Sequence, residues 1–440
     1  MRLPIVQFPR IVVENLAYFA PVFETAEQRK HFCEYITGLI AGDKATVAAI
    51  NALFLNKNDQ SSLNKFVSQA KWDEDELNER RVRFELRRLY RRPVSEKAGR
   101  LILDDTLAHH TKCSMEGLAY LRDHSAGHNV WAHNVVTSYY VNRSDQFPVD
   151  FRLYHQFNCK YETKMLSKVV QRVQAKSDLA NYRQYLATLV SYHYRKQLYR
   201  PKTELGAELL DQALDWGLPF SLVLFDSWFL RRPLIEAITN CQKDWIGACP
   251  KDRLVLDHNH WRQLQDYMQT IPAQAYRPYK IGDRLYWAFT KVLPMKNLNR
   301  QRIRIVASYQ DQLDLTHTPN FYATNRKDWE PKRILGTYLD RWPTETFNED
   351  AKGNLGFEDY QLRCLRAIRR HWYLSFVAYS LLGDQGPPGR SRWSVRGRFH
   401  STGQRCQAVV DELLGYLVHW ITQQTKAGLA QDHIIQILLA

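Results

Sequence analysis

Cysteine is sparse and unpaired in this sequence. Seven residues lie at 33, 113, 159, 241, 249, 364 and 406 of a 440-residue chain, and no two form a C-x-x-C pair. An odd number at such spacings excludes a disulfide framework and a thiolate zinc site, and leaves reduced core residues. Long apolar runs are absent too. No stretch of about 18 apolar residues appears, so no helical membrane span is expected. The opening MRLPIVQFPRIVVENL has no charged leader followed by an apolar core and a small-residue cleavage site, which places the chain in the cytoplasm. Acid is short relative to base: 46 Asp and Glu against 61 Lys and Arg leave a formal charge of +15. Such a surface favours a polyanion, with nucleic acid the first expectation and an anionic membrane the second.

What is present reads in blocks. Residues 1–95 are expected to form a helical DNA-binding domain. EQRKHFCEYITGLIAG sets Phe32, Tyr35, Ile36, Leu39 and Ile40 on one face, and TVAAINALF and SSLNKFVSQA are short helices with Ser or Thr caps. RRVRFELRRLYRRP then carries arginines at 80, 81, 83, 87, 88, 91 and 92 before Pro93. A helix that basic is expected to turn these side chains to water or phosphate, with Arg80, Arg87 and Arg91 as DNA contacts.

From residue 100 the pattern changes to strands. RLILDDTL, MEGLAYLRD and NVWAHNVVTSYYVN read as three consecutive strands of an antiparallel meander. Helical sequence follows through KMLSKVVQRVQAK and GAELLDQALDWG. FSLVLFDSWFL is a buried strand ending in Asp226, RRPLIEAITNC a helix and DWIGACPKD another strand. This order predicts an α/β chain of the α+β kind: an RNase H-like mixed sheet flanked by helices. The expected divisions are a first core segment at 96–254, a β-rich insertion at 255–320 and a final core segment at 321–383. A linker (DQGPPGRSRW) and a C-terminal helical region fill 384–440, for DNA contact or dimerisation. In the tail, AVVDELLGYLVHWI places Val410, Leu413, Leu414, Leu417 and Ile421 on an apolar stripe.

Two strands end in acid, at Asp104 and Asp105 and at Asp226. A carboxylate closing an apolar strand is costly unless it binds something. Glu345 lies in ILGTYLDRWPTETFNEDAKGNLGFEDYQLR, where Tyr338, Arg341, Glu345 and Lys352 would share one face of an ideal helix. Pro343 moves the helix start to about Trp342, with the proline in its first turn and Gly353 at its end. Hard oxygen ligands suit Mg²⁺, with Mn²⁺ as a substitute. Two such ions in one active site activate a water and stabilise the leaving oxygen of a phosphoryl transfer. Taken singly, these acids also suit a helix cap or a turn. Histidines at 109, 110, 124, 128 and 133 have no zinc-like spacing.

Together these residues resemble the DDE transposases of bacterial insertion sequences, of the insertion-sequence-four superfamily. The family signature of Tyr, two residues, Arg, three residues, Glu, six residues, Lys is met at Tyr338, Arg341, Glu345 and Lys352. The likeness extends over the whole chain. It implies Asp105, Asp226 and Glu345 as catalytic metal ligands, and it alone prefers Asp105, which precedes Thr106, over Asp104. It also implies Arg341, Lys352 and Tyr338 as phosphate contacts and Trp342 as one candidate for a base-stacking ring, although a tryptophan at helical spacing is more often core. Relatives often carry an aromatic or basic residue where this chain has Asn348, Glu349 and Asp350. Arginines beyond the signature, including Arg366 and Arg370, read as a second DNA surface.

The implied activity is cut-and-paste transposition by metal-dependent cleavage and strand transfer. The partners are double-stranded DNA, as terminal inverted repeats and target, and a second copy forming a homodimer on DNA. The competing functions are a catalytically silent DNA-binding protein and a different RNase H-like nuclease.

Overall fold

The computed structural model describes residues 4–57, 59–91, 93–111, 114–142, 145–383 and 401–439. The expected linker at 384–393, and the arginines at 92, 390, 392, 396 and 398, lie outside the described residues.

Helices α1 (Arg10–Phe19), α2 (Ala26–Ala41), α3 (Val47–Asn51), α4 (Gln60–Ser68) and α5 (Glu74–Leu89) come first. Side-chain oxygens of Thr25, Thr46, Asp59 and Asp73 cap α2 to α5 by accepting from backbone N–H groups one turn in. Strands β1 (Arg100–His110), β2 (Ala119–Asp123), β3 (His128–Asn142) and β4 (Asp145–Tyr154) follow. After them run α6 (Cys159–Ala175), α7 (Leu179–Leu198), α8 (Lys202–Asp215), β5 (Leu222–Phe225), α9 (Arg232–Asn240) and β6 (Asp244–Ala248). Next are β7 (Leu254–Asp257), β8 (His260–Gln263), α10 (Leu264–Met268), β9 (Arg277–Ile281), β10 (Arg284–Met295), β11 (Gln301–Gln310) and β12 (Asn320–Thr324). The described chain closes with α11 (Pro331–Tyr338), α12 (Trp342–Asn354), α13 (Leu365–Gly383), α14 (Thr402–Lys426) and α15 (Gln431–Leu439).

The strands join one mixed sheet in the order β2-β3-β1-β5-β6-β12-β11-β10-β7-β8, with β4 on β3 and β9 on β10. Its centre, with β1 antiparallel to β3 and parallel to β5, and β5 parallel to β6, is RNase H-like. The expected meander is not the pairing found. β1 lies beside β3, and the short β2 lies on the other edge of β3 next to β4. β4 was not among the expected strands, and it carries Pro148. The proline is tolerated where β4 pairs β3 alone, opposite Tyr139 at a register shift. Strands β10 to β12 extend the same sheet through the antiparallel β12–β6 pair.

Alternation along the strands gives the sheet two covered faces. Ile102 and Leu224 share a core with α2, α12 and α13, whereas Leu101, Leu103, Val223 and Phe225 pack on α8 and α9. Gly247 of β6 lies under the Phe225 ring, and a Cβ there would stand 2.1 Å from a ring carbon. Gly99, just before β1, has no room either, since a Cβ would meet the Pro219 carbonyl oxygen at 2.0 Å. Gly99 thus permits close approach of β1 to the chain entering β5, and Gly247 that of β6 to β5. No helix among the described residues is long and apolar enough to cross a membrane.

The N-terminal helices share their core with α13, so basic residues there are not all free. Arg81 is 0% exposed: it donates to Asn78 Oδ1 and to the carbonyls of Pro148 and Val149. The expectation that this arginine faces water or phosphate is therefore corrected. Five donors on a planar fork suit it to stitching α5 to an edge strand. Arg81→Met is expected to lower stability by about 3 kcal/mol, because buried carbonyls lose their donor. Arg83→Met, which removes only an exposed pair with Glu79, is expected to cost less than about 1 kcal/mol. Urea midpoints at unchanged slope measure both.

Candidate active site

β1 and β5 run parallel and their pairing ends with Leu103 opposite Phe225; the next residues are Asp226, just past the end of β5, and Asp104, within β1, which does not end at its acids as expected but continues to His110 along β3. Strand parity turns Asp104 toward the face on which α12 packs through Phe347 and Ala351. Glu345, in the first turn of α12, reaches this corner from its helix. The Arg341 guanidinium joins the two, donating to Asp104 Oδ2 at 2.6 Å and to Glu345 Oε1. Asp105 points the other way, where its Oδ2 accepts from Lys202 Nζ of α8 at 2.8 Å. Asp226 accepts from the backbone N–H of Trp228 at 3.0 Å, which fixes its carboxylate in the turn after β5.

The carboxylates strain one another electrostatically. Burial pushes Asp104 up to about 7 against the opposing pull of Arg341, with Asp226 and Asp105 raising it further. Burial and the charge of Asp105 push Asp226 up to about 6. Negative charge is thus concentrated beyond what Arg341 and Lys202 balance, the condition in which a hard cation binds. Among the described residues, no group of three or more His, Cys, Asp or Glu is disposed to hold a metal ion. The acids therefore fit a divalent cation in kind, as buried oxygen donors, while Arg341 lies between two of them.

The signature residues divide over two helices. Tyr338 ends α11, Leu339–Arg341 form a 3₁₀ turn, and α12 starts at Trp342 with Pro343 in its first turn, as the proline requires. Gly353 does not end the helix, which runs to Asn354. The Tyr338 hydroxyl donates to the Phe225 carbonyl at 3.3 Å, so it braces the strand end beside Asp226. Lys352 donates to the Leu107 carbonyl at 2.7 Å, and burial lowers its pKa. Trp342 is no core residue: it is 64% exposed.

The outlying arginines separate into several kinds. Arg87 and Arg91 are exposed, with Arg87 over the Tyr18 ring, and Arg80 pairs with Glu76. Arg366 is exposed but shares a cleft with Asp73, Glu74, Asp75 and Glu76. Arg370 is a correction. It is 3% exposed, donates to the carbonyls of Ala70 and Trp72 and pairs with Glu74, so it ties α13 to the end of α4 and cannot meet DNA. Of the histidines, His124 and His128 are exposed, whereas others have partners within the fold. His133 bonds Tyr360 and the Glu116 carbonyl, and His109 faces Asp123.

Sequence reasoning left Lys202 and Trp228 unread. Trp228 is 50% exposed two residues after Asp226, and Lys202 lies over its ring. The only signal for Trp228 was its place in FDSWF, and Lys202 had none.

Asp226 carries its raised pKa only in the folded chain. Below the ordinary carboxylate value of 3.8 it is neutral whether folded or unfolded; between that value and about 6 only the unfolded chain ionises, so stability is lost across this window and the loss is complete above it. In chelator, Asp226→Asn is expected to melt above wild type at pH 8 and by about half as much at pH 5, which lies inside that window. An equal difference at both values would show that buried charge is not the cause.

The family model described as DDE superfamily endonuclease matches residues 18–307, most of the chain, including β1 with Asp104 and Asp105 and β5 with its following Asp226. The match ends before α12 and Glu345. No curated protein matches the chain. With aspartates following the last paired residues of β1 and β5 on an RNase H-like sheet, and a family match running through both, the chain belongs to the DDE superfamily endonucleases, enzymes of the nuclease and transposase kind that act on DNA with divalent metal ions.

Proposed function

We propose that the protein is a bacterial transposase of the insertion-sequence-four kind, working as a homodimer in the cytoplasm at the nucleoid. It cuts duplex DNA at the inverted repeats of its element and joins the freed ends to target DNA. The observation that carries this reading is the β1–β5 register that brings Asp104 and Asp226 next after the last paired residues, with Arg341 donating to both Asp104 and Glu345.

Asp104, Asp226 and Glu345 are the carboxylates that hold Mg²⁺ or Mn²⁺, two ions per site. Bound there, the ions supply charge that activates water and steadies the leaving oxygen. The likeness to the family favoured Asp105 as the first ligand. Strand parity favours Asp104, because Asp105 is turned toward α8 and neutralised by Lys202. Asp105 then acts through Lys202 and Asp226 to set charge at the site. Arg341, freed from the acids, and Lys352 grip phosphates flanking the scissile bond, since a guanidinium fork matches a phosphate. Tyr338 positions the β5 end and does not itself need to touch DNA. The exposed Trp342 ring is free to stack on a displaced base. Arg80, Arg87, Arg91 and Arg366 remain proposed outer contacts.

One observation favours a second reading, a DNA-binding protein without cleavage: Arg341 already neutralises Asp104 and Glu345. Cleavage of a labelled duplex carrying the element's end, with Mg²⁺, Mn²⁺ or chelator, separates the two. Wild type is expected to cut only with metal. Asp104→Asn, Asp226→Asn and Glu345→Gln are expected to bind but lose more than the ~100-fold typical of an outer partner, and Asp105→Asn to lose about 10- to 100-fold. If none of the proteins cuts with any metal while all bind alike, the second reading holds. If Asp105→Asn is as inactive as Asp226→Asn and Asp104→Asn is not, the first ligand is Asp105.

A further inference from the structure

Between β4 and α8 the chain leaves the sheet as a helical hairpin, α6 and α7, that contributes almost nothing to the core. No residue of α7 is buried, and in α6 only Glu162 and Val169 are. An inserted segment normally returns its ordering cost by burying an apolar face. This one instead carries charge: residues 159–202 hold ten Lys or Arg against two Asp or Glu.

The charge is ordered. Lys160, Lys164, Lys168 and Arg172 follow one another at intervals of four along α6, all exposed, with Tyr161 and Met165 exposed among them. Steps of four residues turn only about 40° on a helix, so the four cations form one outward stripe roughly 18 Å long. Among the described residues none of the four has an ion-pair partner; the acid Glu162 is turned inward to Arg195 of α7. Like charges four apart destabilise an isolated helix. A stripe of them is retained at that cost where a polyanion answers it.

The hairpin is rooted at the catalytic corner. Its exit, Lys202, holds Asp105 and lies over the ring of Tyr154, the last residue of β4 at its entry. The Tyr194 hydroxyl donates to Glu116, whose other oxygen accepts from the backbone of Leu365 at the start of α13. An 18 Å stripe leading away from this corner spans about five base pairs of duplex at 3.4 Å each.

We propose that the α6–α7 hairpin is a DNA-clamping arm, whose Lys160, Lys164, Lys168 and Arg172 track the phosphate backbone of the duplex flanking the bond held at the active site. The proposal rests on the reading that duplex DNA is the substrate. It assigns the arm affinity without sequence preference, because the cations meet backbone and not base edges.

The test replaces all four cations by Gln in the full chain and measures duplex affinity in chelator across a salt series. Each phosphate contact contributes about 0.9 unit of slope in log K against log salt, so loss of four is expected to lower the slope by about 3.6, with the melting temperature not lowered. Bound duplex is also expected to protect Lys160, Lys164 and Lys168 from acetylation in the wild type. A slope equal to that of wild type, with these lysines acetylated equally with and without DNA, overturns the arm while wild-type binding and metal-dependent cleavage keep the enzyme reading. A wild type that neither binds nor cuts overturns both. Light scattering covers the rival occupant. Loss of self-association at unchanged slope would assign the hairpin, with its exposed Leu179, Leu186 and Val190, to a second copy of the chain.

Discussion

The parallel pairing of β1 with β5 is the constraint on which the rest depends. It aligns two apolar strands whose next residues are both aspartates, and it forces these into a shared, poorly hydrated corner. Neither acid would choose that place, as their raised pKa values record. The fold compels it because Leu101, Leu103, Val223 and Phe225 bury one face and Ile102 and Leu224 the other. Function is thereby obtained from packing: the hydrophobic effect supplies the free energy that holds like charges together.

Cations then settle into graded roles by burial. Arg81 and Arg370 are enclosed and serve carbonyls, as stitches between helices and strand. Arg341 and Lys202 sit half-buried at the acids, each answering one carboxylate of β1. The α6 stripe stands in water with no acid to answer it. A formal charge of +15 is thus a sum over three populations, and only the outer two are free to meet a polyanion.

Helix α12 shows how local and tertiary constraints divide the work. Pro343 sets where α12 begins, since a ring without an N–H is tolerated in the first turn. Phe347, against Tyr139, Phe376 and Tyr379, sets how it lies on the sheet. Glu345 inherits its position from both.

By itself the sequence determined the helix start at Trp342, the strand that ends at Asp226, the residue types of the candidate site and the RNase H-like order of elements. Each of these follows from near-neighbour chemistry: a ring's missing N–H, alternation, apolar runs. Tertiary structure alone decided three other matters. It chose which of Asp104 and Asp105 faces α12, because adjacent strand residues point oppositely and only the packed helices distinguish the faces. It buried Arg81 and Arg370, which composition cannot separate from their exposed neighbours, because burial depends on carbonyls some 70 and 300 residues away in sequence. It also turned β4 into an edge strand despite its proline and left α6 and α7 standing clear of the core, since what an element packs against is a property of the whole chain and not of the segment.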